Sequence, residues 1–510
     1  MYSNTCFVKV LIVFTLVIIE NECKRPNFIL FLTDDQDLLL DSMIPMQSTI
    51  KNIANDGITF TEAYAHSPIC CPSRSSLLTG KYLHNIHVYN NSINGNCSSN
   101  EWQNTHETRT IASYLKSSGY VNFYAGKYLN QYGNKNANGL SHIPPGYDWW
   151  YGLEGNSKYH NFTLSINGTK VDFHQEYLTD LIGTYALDFL SHKPLDKEFF
   201  MILAPPAAHA PFTPANRHSD KFPTVKTKKM HNFNASATKK HWITQLPPKY
   251  LPEDITILDD IQRKRWQTLL SVDELVENVV NKLKNLNILD ETYLIFTSDN
   301  GFHIGQFGLP WDKRQPYQTD IHIPFLMKGP KLPKKELFNH PVSLVDLAPT
   351  ILTLANATVP EDMDGISFAH LFNSQDNKNK ENERNLVFIE YFGEGNAHSV
   401  EKACNFSEED AENLSECSLE NWCKCQDSRN NTYTCTLTFN IATKTKYCLF
   451  RDKRNFMEFY NLVQDPYELN NKAPFLTSKE HKIHQHLLSE YKKCTGKSCH
   501  DLVLKSYDKI

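Results

Sequence analysis

Five short apolar runs, each closing on polar residues and separated by helical patterns, constrain this chain more than any other feature. Arg25-Pro26-Asn27 leads into FILFLT (Phe28–Thr33), which stops at Asp34-Asp35. VNFYAGKYLN (Val121–Asn130) carries Gly126-Lys127, and FFMILAPPAAHAP (Phe199–Pro211) carries His209 near its end. TYLIFTSDNGFH (Thr292–His303) runs into Asp299-Asn300-Gly301, and IPFLMKGP (Ile323–Pro330) ends in Gly-Pro. Between them, TIASYLKSSG, YLTDLIGTYALDFLSH and RWQTLLSVDELVENVVNKLKNL space their apolar residues as helices do. This alternation predicts an α/β fold with a large, mostly parallel sheet between helices. In such sheets ligands bind beyond the carboxyl ends of the strands. Asp34, Asp35, Lys127, His209, Asp299 and Asn300 are therefore expected to converge.

The alternation fades after Leu371. Ser374–Asn385 is a polar run that reads as a linker. Beyond it, TYTCTLTFN (Thr432–Asn440), YCLF and FMEFYNL (Phe456–Leu462) alternate as strands of a small antiparallel sheet. A helix around His481–Lys493 is expected to close it. The expected organisation is a signal peptide over 1–23, a catalytic domain over 24–373 and a smaller cysteine-rich domain over 374–510, consistent with a length beyond one small core.

Compartment can be read from three features. Lys9 precedes a ten-residue apolar run, Val10–Ile19, broken only by Thr15, half of the about 20 that span a bilayer. That is the pattern of a secretory signal. Nine N-x-Ser/Thr acceptors, at Asn90, Asn96, Asn161, Asn167, Asn234, Asn356, Asn405, Asn413 and Asn430, suit a glycosylated surface. Eight of 13 cysteines follow residue 400 (Cys404, Cys417, Cys423, Cys425, Cys435, Cys448, Cys494 and Cys499), as in a disulfide-stapled region. Cys423-Lys-Cys425 lacks the spacing of zinc knuckles. The formal charge of −5 argues against a nucleic-acid partner, but protonating all 21 histidines would carry it to +16. An acidic compartment would thus make the surface cationic and suited to a polyanion.

Three carboxylates and an amide at neighbouring strand ends form a hard-oxygen cage for Ca²⁺ or Mg²⁺. Beside them stands SPICCPSRSSLLTGKY (Ser67–Tyr82). By themselves its paired cysteines admit a disulfide, a metal site, a thiol nucleophile or a modified residue. The spacing Cys70-x-Pro72-Ser73-Arg74, trailed by Leu78-Thr79-Gly80, resembles the signature of the sulfatase family. Asp34-Asp35, Gly126-Lys127, His209 and Asp299-Asn300-Gly301 fall in that family's order. TDDQD, GKYLHN, AGKYLNQYG, NSKYHNFTLSING and TSDNGFHIGQF are similar to the branch acting on 6-O-sulfated N-acetylglucosamine.

The resemblance implies an alkaline-phosphatase-like sulfatase fold. It implies hydrolysis of 6-O-sulfate esters in heparan and keratan sulfate, in the lysosome; an endo-acting secreted enzyme and an inactive glycan-binding protein are the alternatives. Cys70 would be oxidised to formylglycine (3-oxoalanine), whose hydrate supplies the nucleophilic hydroxyl, with Cys71 the variable position beside it and the Cys70–Cys71 pair not a disulfide. Metal ligands would be Asp34, Asp35, Asp299, Asn300 and modified Cys70, holding Ca²⁺ rather than Mg²⁺. Arg74 would hold the nucleophile; Lys127, Lys313 and His209 would bind sulfate, and His209 would protonate the leaving oxygen. Expected partners are a sulfated glycosaminoglycan, the formylglycine-generating enzyme during maturation and, as an open option, a second copy of the chain; no membrane contact is expected after signal cleavage. One departure stands out: Lys127-Tyr128-Leu129 replaces the Lys-x-His of many sulfatases. His303 is the candidate to bind substrate or take the missing histidine's place.

Overall fold

A computed structural model describes residues 6–13, 16–23, 25–245, 250–372, 384–394, 427–440 and 443–505. Ten strands form one mixed sheet. In chain order they are β1 (Asn27–Thr33), β2 (Ile58–Phe60), β3 (Val121–Lys127), β4 (Trp149–Leu153), β5 (Phe162–Ile166), β6 (Thr169–Phe173), β7 (Phe199–Ala204), β8 (Thr292–Ser298), β9 (Phe325–Lys328) and β10 (Glu336–Phe338). Their spatial order is β10-β2-β9-β8-β1-β7-β3-β4-β5-β6.

The centre, β8-β1-β7-β3-β4, is parallel throughout. Register levels its strand ends: Thr33 lies across from Ser298, and Ala204 from Gly126. The predicted run Ile323–Pro330 is a strand, but β9 runs antiparallel to β8. A four-residue apolar strand carries no mark of direction, so its Gly-Pro end points away from the other carboxyl ends. The β5–β6 hairpin extends the far edge and was not foreseen.

Both faces of the centre are covered, which is why its strands read as continuous apolar runs. Phe28, Leu30 and Leu32 of β1 share one core with α1 (Cys70–Thr79) and α2 (Ile111–Ser117). Ile29 and Phe31 share the other with α3 (Leu178–His192) and α4 (Thr256–Asn285). The last helix begins nine residues before the predicted Arg265.

A second sheet is antiparallel: β11 (Leu386–Tyr391), β12 (Tyr433–Phe439), β13 (Lys444–Phe450) and β14 (Met457–Asn461). Three of these were anticipated; β11 was not. The predicted closing helix is α5 (Ser478–Tyr491), followed by α6 (Lys497–Leu504). Val387, Ile389 and Tyr433 pack with Tyr64, Ile69 and Ile321 of the larger unit. The small sheet thereby abuts the residue preceding Cys70.

Disulfides join Cys71–Cys97, Cys435–Cys448 and Cys494–Cys499. The first corrects the reading of Cys71 as merely a variable neighbour: it is a staple, whose partner 26 residues on gave no signal in the sequence. Cys404, Cys417, Cys423, Cys425 and most of the predicted linker lie outside the described residues. At the amino end, Cys6–Val13 and Leu16–Cys23 pair as a two-stranded antiparallel sheet of their own. Among the described residues no helix is long and apolar enough to cross a membrane.

Candidate active site

The site is assembled where the parallel strands end. Asp34 and Asp35 follow β1, and the left-handed turn at Asp35 (φ 59°) lets adjacent carboxylates serve one site. Asp299 and Asn300 follow β8, and Lys127 ends β3. Gly126 precedes that lysine with φ 111°, and a Cβ there would lie 2.0 Å from the Ala204 carbonyl of β7. Close approach of β3 and β7 therefore requires glycine at this position. His209 comes from the loop after β7.

Cys70 opens α1, so the electropositive end of a helix faces the cluster. Its Sγ lies 3.5 Å from Asp34 Oδ1 and 3.9 Å from Asp35 Oδ1. Each carboxylate has its own cation. Lys127 Nζ donates to Asp34 Oδ2 at 2.6 Å, and Lys313 Nζ to Asp35 Oδ2 at 2.6 Å. Arg74 Nε donates to Asp299 Oδ2 at 2.7 Å, and its Nη1 to the Lys127 carbonyl at 2.7 Å. His209 Nδ1 sits 2.6 Å from the Ala210 carbonyl, leaving Nε2 3.7 Å from Asp35 Oδ2. All these side chains are buried except that of His209, which is 12% exposed.

Burial and charge work against each other here. Burial alone would raise the Asp34 carboxyl, but Lys127, His209, Arg74 and Lys313 hold it well below the usual range. Asp35 is also lowered, with burial overcome chiefly by Lys313 and His209. Asp299 is pushed up to about 6 by burial, which Arg74 offsets only in part. Burial and then Lys313 lower the His209 imidazole to about 4. Burial pushes the Cys70 thiol far up, despite Lys127 and Lys313. A thiol held protonated is a poor nucleophile.

The donor set also suits a divalent cation. Ligand atoms of Asp34, Asp35, Cys70 and His209 lie within 4.8 Å of one another. Asn300 Oδ1 is buried without a hydrogen-bond partner, while its Nδ2 donates to Asp35 Oδ1 at 2.8 Å. An orphaned amide oxygen among carboxylates is what a hard cation would satisfy. Asp299 joins through Oδ1, which accepts the Asp35 amide at 3.1 Å.

The structure thus brings together Asp34, Asp35, Cys70, Arg74, Lys127, His209, Asp299, Asn300 and Lys313. It leaves His303 outside this hydrogen-bond set: its Nδ1 faces Asp320 Oδ2 at 3.0 Å. Leu129 is fully buried in the core, and its side chain carries no group that exchanges a proton.

Sequence reasoning missed several contributors. Ser157, beyond β4, donates its hydroxyl to Asp34 Oδ2. Arg265 of α4 donates to the Asp35 carbonyl at 2.8 Å and the Ala208 carbonyl at 3.0 Å, bracing two site loops. Lys313 is held from the small sheet. Its neighbour Arg314 pairs with Glu394 at 3.2 Å and Asp427 at 3.3 Å. The Arg314 carbonyl accepts from Asn431 Nδ2 at 3.2 Å and Tyr433 Oη at 3.1 Å.

Comparison with known proteins decides the family. The Sulfatase family model matches residues 26–357, and the N-sulphoglucosamine sulphohydrolase C-terminal model matches 305–413. The human N-acetylglucosamine-6-sulfatase is 42% identical over 93% of this chain and 86% of its own length. This chain belongs to the sulfatase family. As a sulfatase it is a sulfuric ester hydrolase. The extracellular sulfatase SULF-1 homolog of Drosophila melanogaster is also 42% identical, over 72% of this chain but only 33% of that protein. The solved structure of BT4656 in complex with its substrate D-glucosamine-2-N,6-O-disulfate matches with a TM-score of 0.72 at 21% identity. That match covers 94% of this chain and 99% of the other. The sulfatase fold expected from the motifs is the fold observed.

Proposed function

We propose that this sulfatase removes 6-O-sulfate from N-acetylglucosamine 6-sulfate units of heparan and keratan sulfate, acting from chain ends in the lysosome. The observation that carries the chemistry is the buried Cys70 thiol 3.5 Å from Asp34 among three fixed cations. Choice of sugar rests on the near-full-length similarity to the human enzyme that acts on N-acetylglucosamine 6-sulfate.

Residue 70 would carry formylglycine, installed by the formylglycine-generating enzyme, and its hydrate would supply the attacking hydroxyl that a thiol lacks. Asp34, Asp35, Asp299 and Asn300, with residue 70, would hold a divalent cation, Ca²⁺ by preference, which polarises a sulfate ester when bound. The chain's own groups do the rest. Arg74 braces the turn of α1 that presents residue 70. Lys127 and Lys313 present fixed positive charge to the sulfate oxygens, where charge accumulates as the ester breaks. His209 points Nε2 into the same space. An arriving sulfate would favour its protonated form, giving an acid for the departing sugar oxygen.

The test is mass spectrometry of the Cys70 peptide alongside sulfate release from 6-sulfated N-acetylglucosamine at acidic pH. An unmodified Cys70 in secreted, folded protein would overturn the chemistry. Sulfate release only from internal units of a chain would overturn the exo-acting assignment.

A further inference from the structure

A second charged cavity, of about 440 Å³, shares no lining residue with the nine above. It is lined by His84, His87, Tyr89, Glu390, Phe392, Arg451 and Lys492. Its charges do not balance. Glu390 is buried and already committed: it accepts from Tyr491 Oη at 3.0 Å, and His84 Nδ1 and His66 Nε2 flank it at 3.7 and 3.9 Å. Among the described residues neither Arg451 nor Lys492 has an ion pair. Arg451 Nη2 donates to Thr434 Oγ1, while its Nε is buried with no acceptor. Burial lowers both cations and Arg451 lowers Lys492 further, while Glu390 offsets only part of this in each. One carboxylate facing two cations and an imidazole leaves a positive excess that an arriving anion would relieve.

The remaining wall is aromatic. Tyr89 and Phe392 meet edge to face with centroids 4.7 Å apart. An apolar wall beside a few charged groups suits a sugar ring that carries an acid group. The wall is also tied to the nucleophile's helix. Two residues beyond Tyr89, Asn91 Oδ1 accepts the Cys71 amide at 2.9 Å. The Asn91 amide donates to Glu394 Oε1 at 2.7 Å, and Glu394 lies two residues beyond Phe392. One hydrogen-bonded link therefore joins both rings to the first turn of α1.

We propose that the His84–Arg451–Lys492 cavity binds a second acidic group, a sulfate or a carboxylate, on the same glycan whose sulfate ester lies at residue 70. The proposal rests on the reaction assigned above. Its consequence is selectivity for longer acidic chains over a single sulfated sugar.

The test compares Arg451→Gln/Lys492→Gln with the unaltered enzyme on two substrates: 6-sulfated N-acetylglucosamine, and a sulfated tetrasaccharide ending in that sugar. KM for the tetrasaccharide should rise about tenfold, the loss expected for charge-assisted contacts, with kcat/KM for the monosaccharide unchanged. Equal losses on both substrates, or none on either, overturn the proposal. If the anion were free inorganic sulfate, added sulfate would alter monosaccharide turnover more in the unaltered enzyme than in the double variant, and this too overturns it. Lys492→Gln alone, at an exposed side chain, keeps the test open if loss of the Arg451–Thr434 bond prevents folding. Calorimetric binding of the tetrasaccharide to Cys70→Ala protein, with and without the two substitutions, reads the cavity without turnover. Its result stands even if the enzyme releases sulfate from neither substrate.

Discussion

Lys127 and Asp34 end parallel strands separated by β7, yet their side chains meet at 2.6 Å with no solvent exposure on either. A buried ion pair broken from one side leaves an uncompensated charge, at a cost of about 3–5 kcal/mol. Lys127→Met should therefore lower stability by that order. It should also lower kcat by at least about 100-fold, the usual loss for an electrostatic group at the reacting centre. Denaturant titration and steady-state kinetics check both. A variant with near-normal kcat would remove Lys127 from the chemistry.

Replacing Cys70 with serine keeps one hydroxyl but forfeits the second that a hydrated aldehyde offers. Turnover of Cys70→Ser should stop after a single event, leaving the serine esterified. Intact-peptide mass spectrometry should find one added sulfuryl group on residue 70. Multiple turnovers by this variant would contradict the role given to the modification.

The Cys71–Cys97 bond closes a loop of 26 residues beside the nucleophile. Its removal in Cys71→Ser/Cys97→Ser should cost about 3 kcal/mol, read as a lower thermal midpoint. Oxidation of residue 70 should persist in whatever fraction folds. A midpoint unchanged by the double substitution would show that the staple does not constrain the loop.

Acid should weaken the fold through buried imidazoles. His66, His322 and His484 are each lowered to about 4, in every case chiefly by burial. Each stays neutral in the native state while the unfolded chain takes up a proton below its ordinary value near 6.5. Stability from these three should thus fall as pH drops from about 6.5 to 4. His84 is raised by Glu390, against its burial, and opposes the trend: its share is present below its unfolded value and is lost as pH rises through the folded one. Urea midpoints between pH 7 and 4.5 give the sign. His484→Phe, preserving the stack on Tyr447 at 4.4 Å, should flatten the slope. A steeper slope would refute the assignment.

Restoring the histidine common in the family should not help. Leu129 is fully buried in the core, so Leu129→His would bury a polar ring at a cost of about 2 kcal/mol or more. Stability should fall and kcat should not rise. A faster enzyme would mean that this position reaches the reacting atoms after all.

Much of the site could be read from the chain because Asp34, Asp35, Lys127, His209, Asp299 and Asn300 close apolar runs, and parallel strands deliver their ends to one place; Cys70, Arg74 and Lys313 were legible only through the family resemblance. Asp34, Lys127 and Asp299 were found that way. Ser157 was not, since a serine a few residues past a strand has no distinguishing context. Arg265 looked like an ordinary helix residue because its targets are backbone carbonyls of distant loops. The direction of β9 was missed because an apolar tetrad fits either sense. β11 was missed because a polar run precedes it and its pairing partners lie more than 40 residues on. Cys71 was misjudged because disulfide pairing depends on distance in space, not on spacing in the chain.

The grip on Arg314 has a consequence for how such a chain can vary. Lys313 hangs from a loop whose anchor points, Glu394, Asp427, Asn431 and Tyr433, belong to the smaller unit. The two units therefore cannot be exchanged among relatives as independent modules. A shortened protein ending before residue 386 could keep both aspartates and the nucleophile, yet it would lose the tether that keeps one of its sulfate-binding ammonium groups in position.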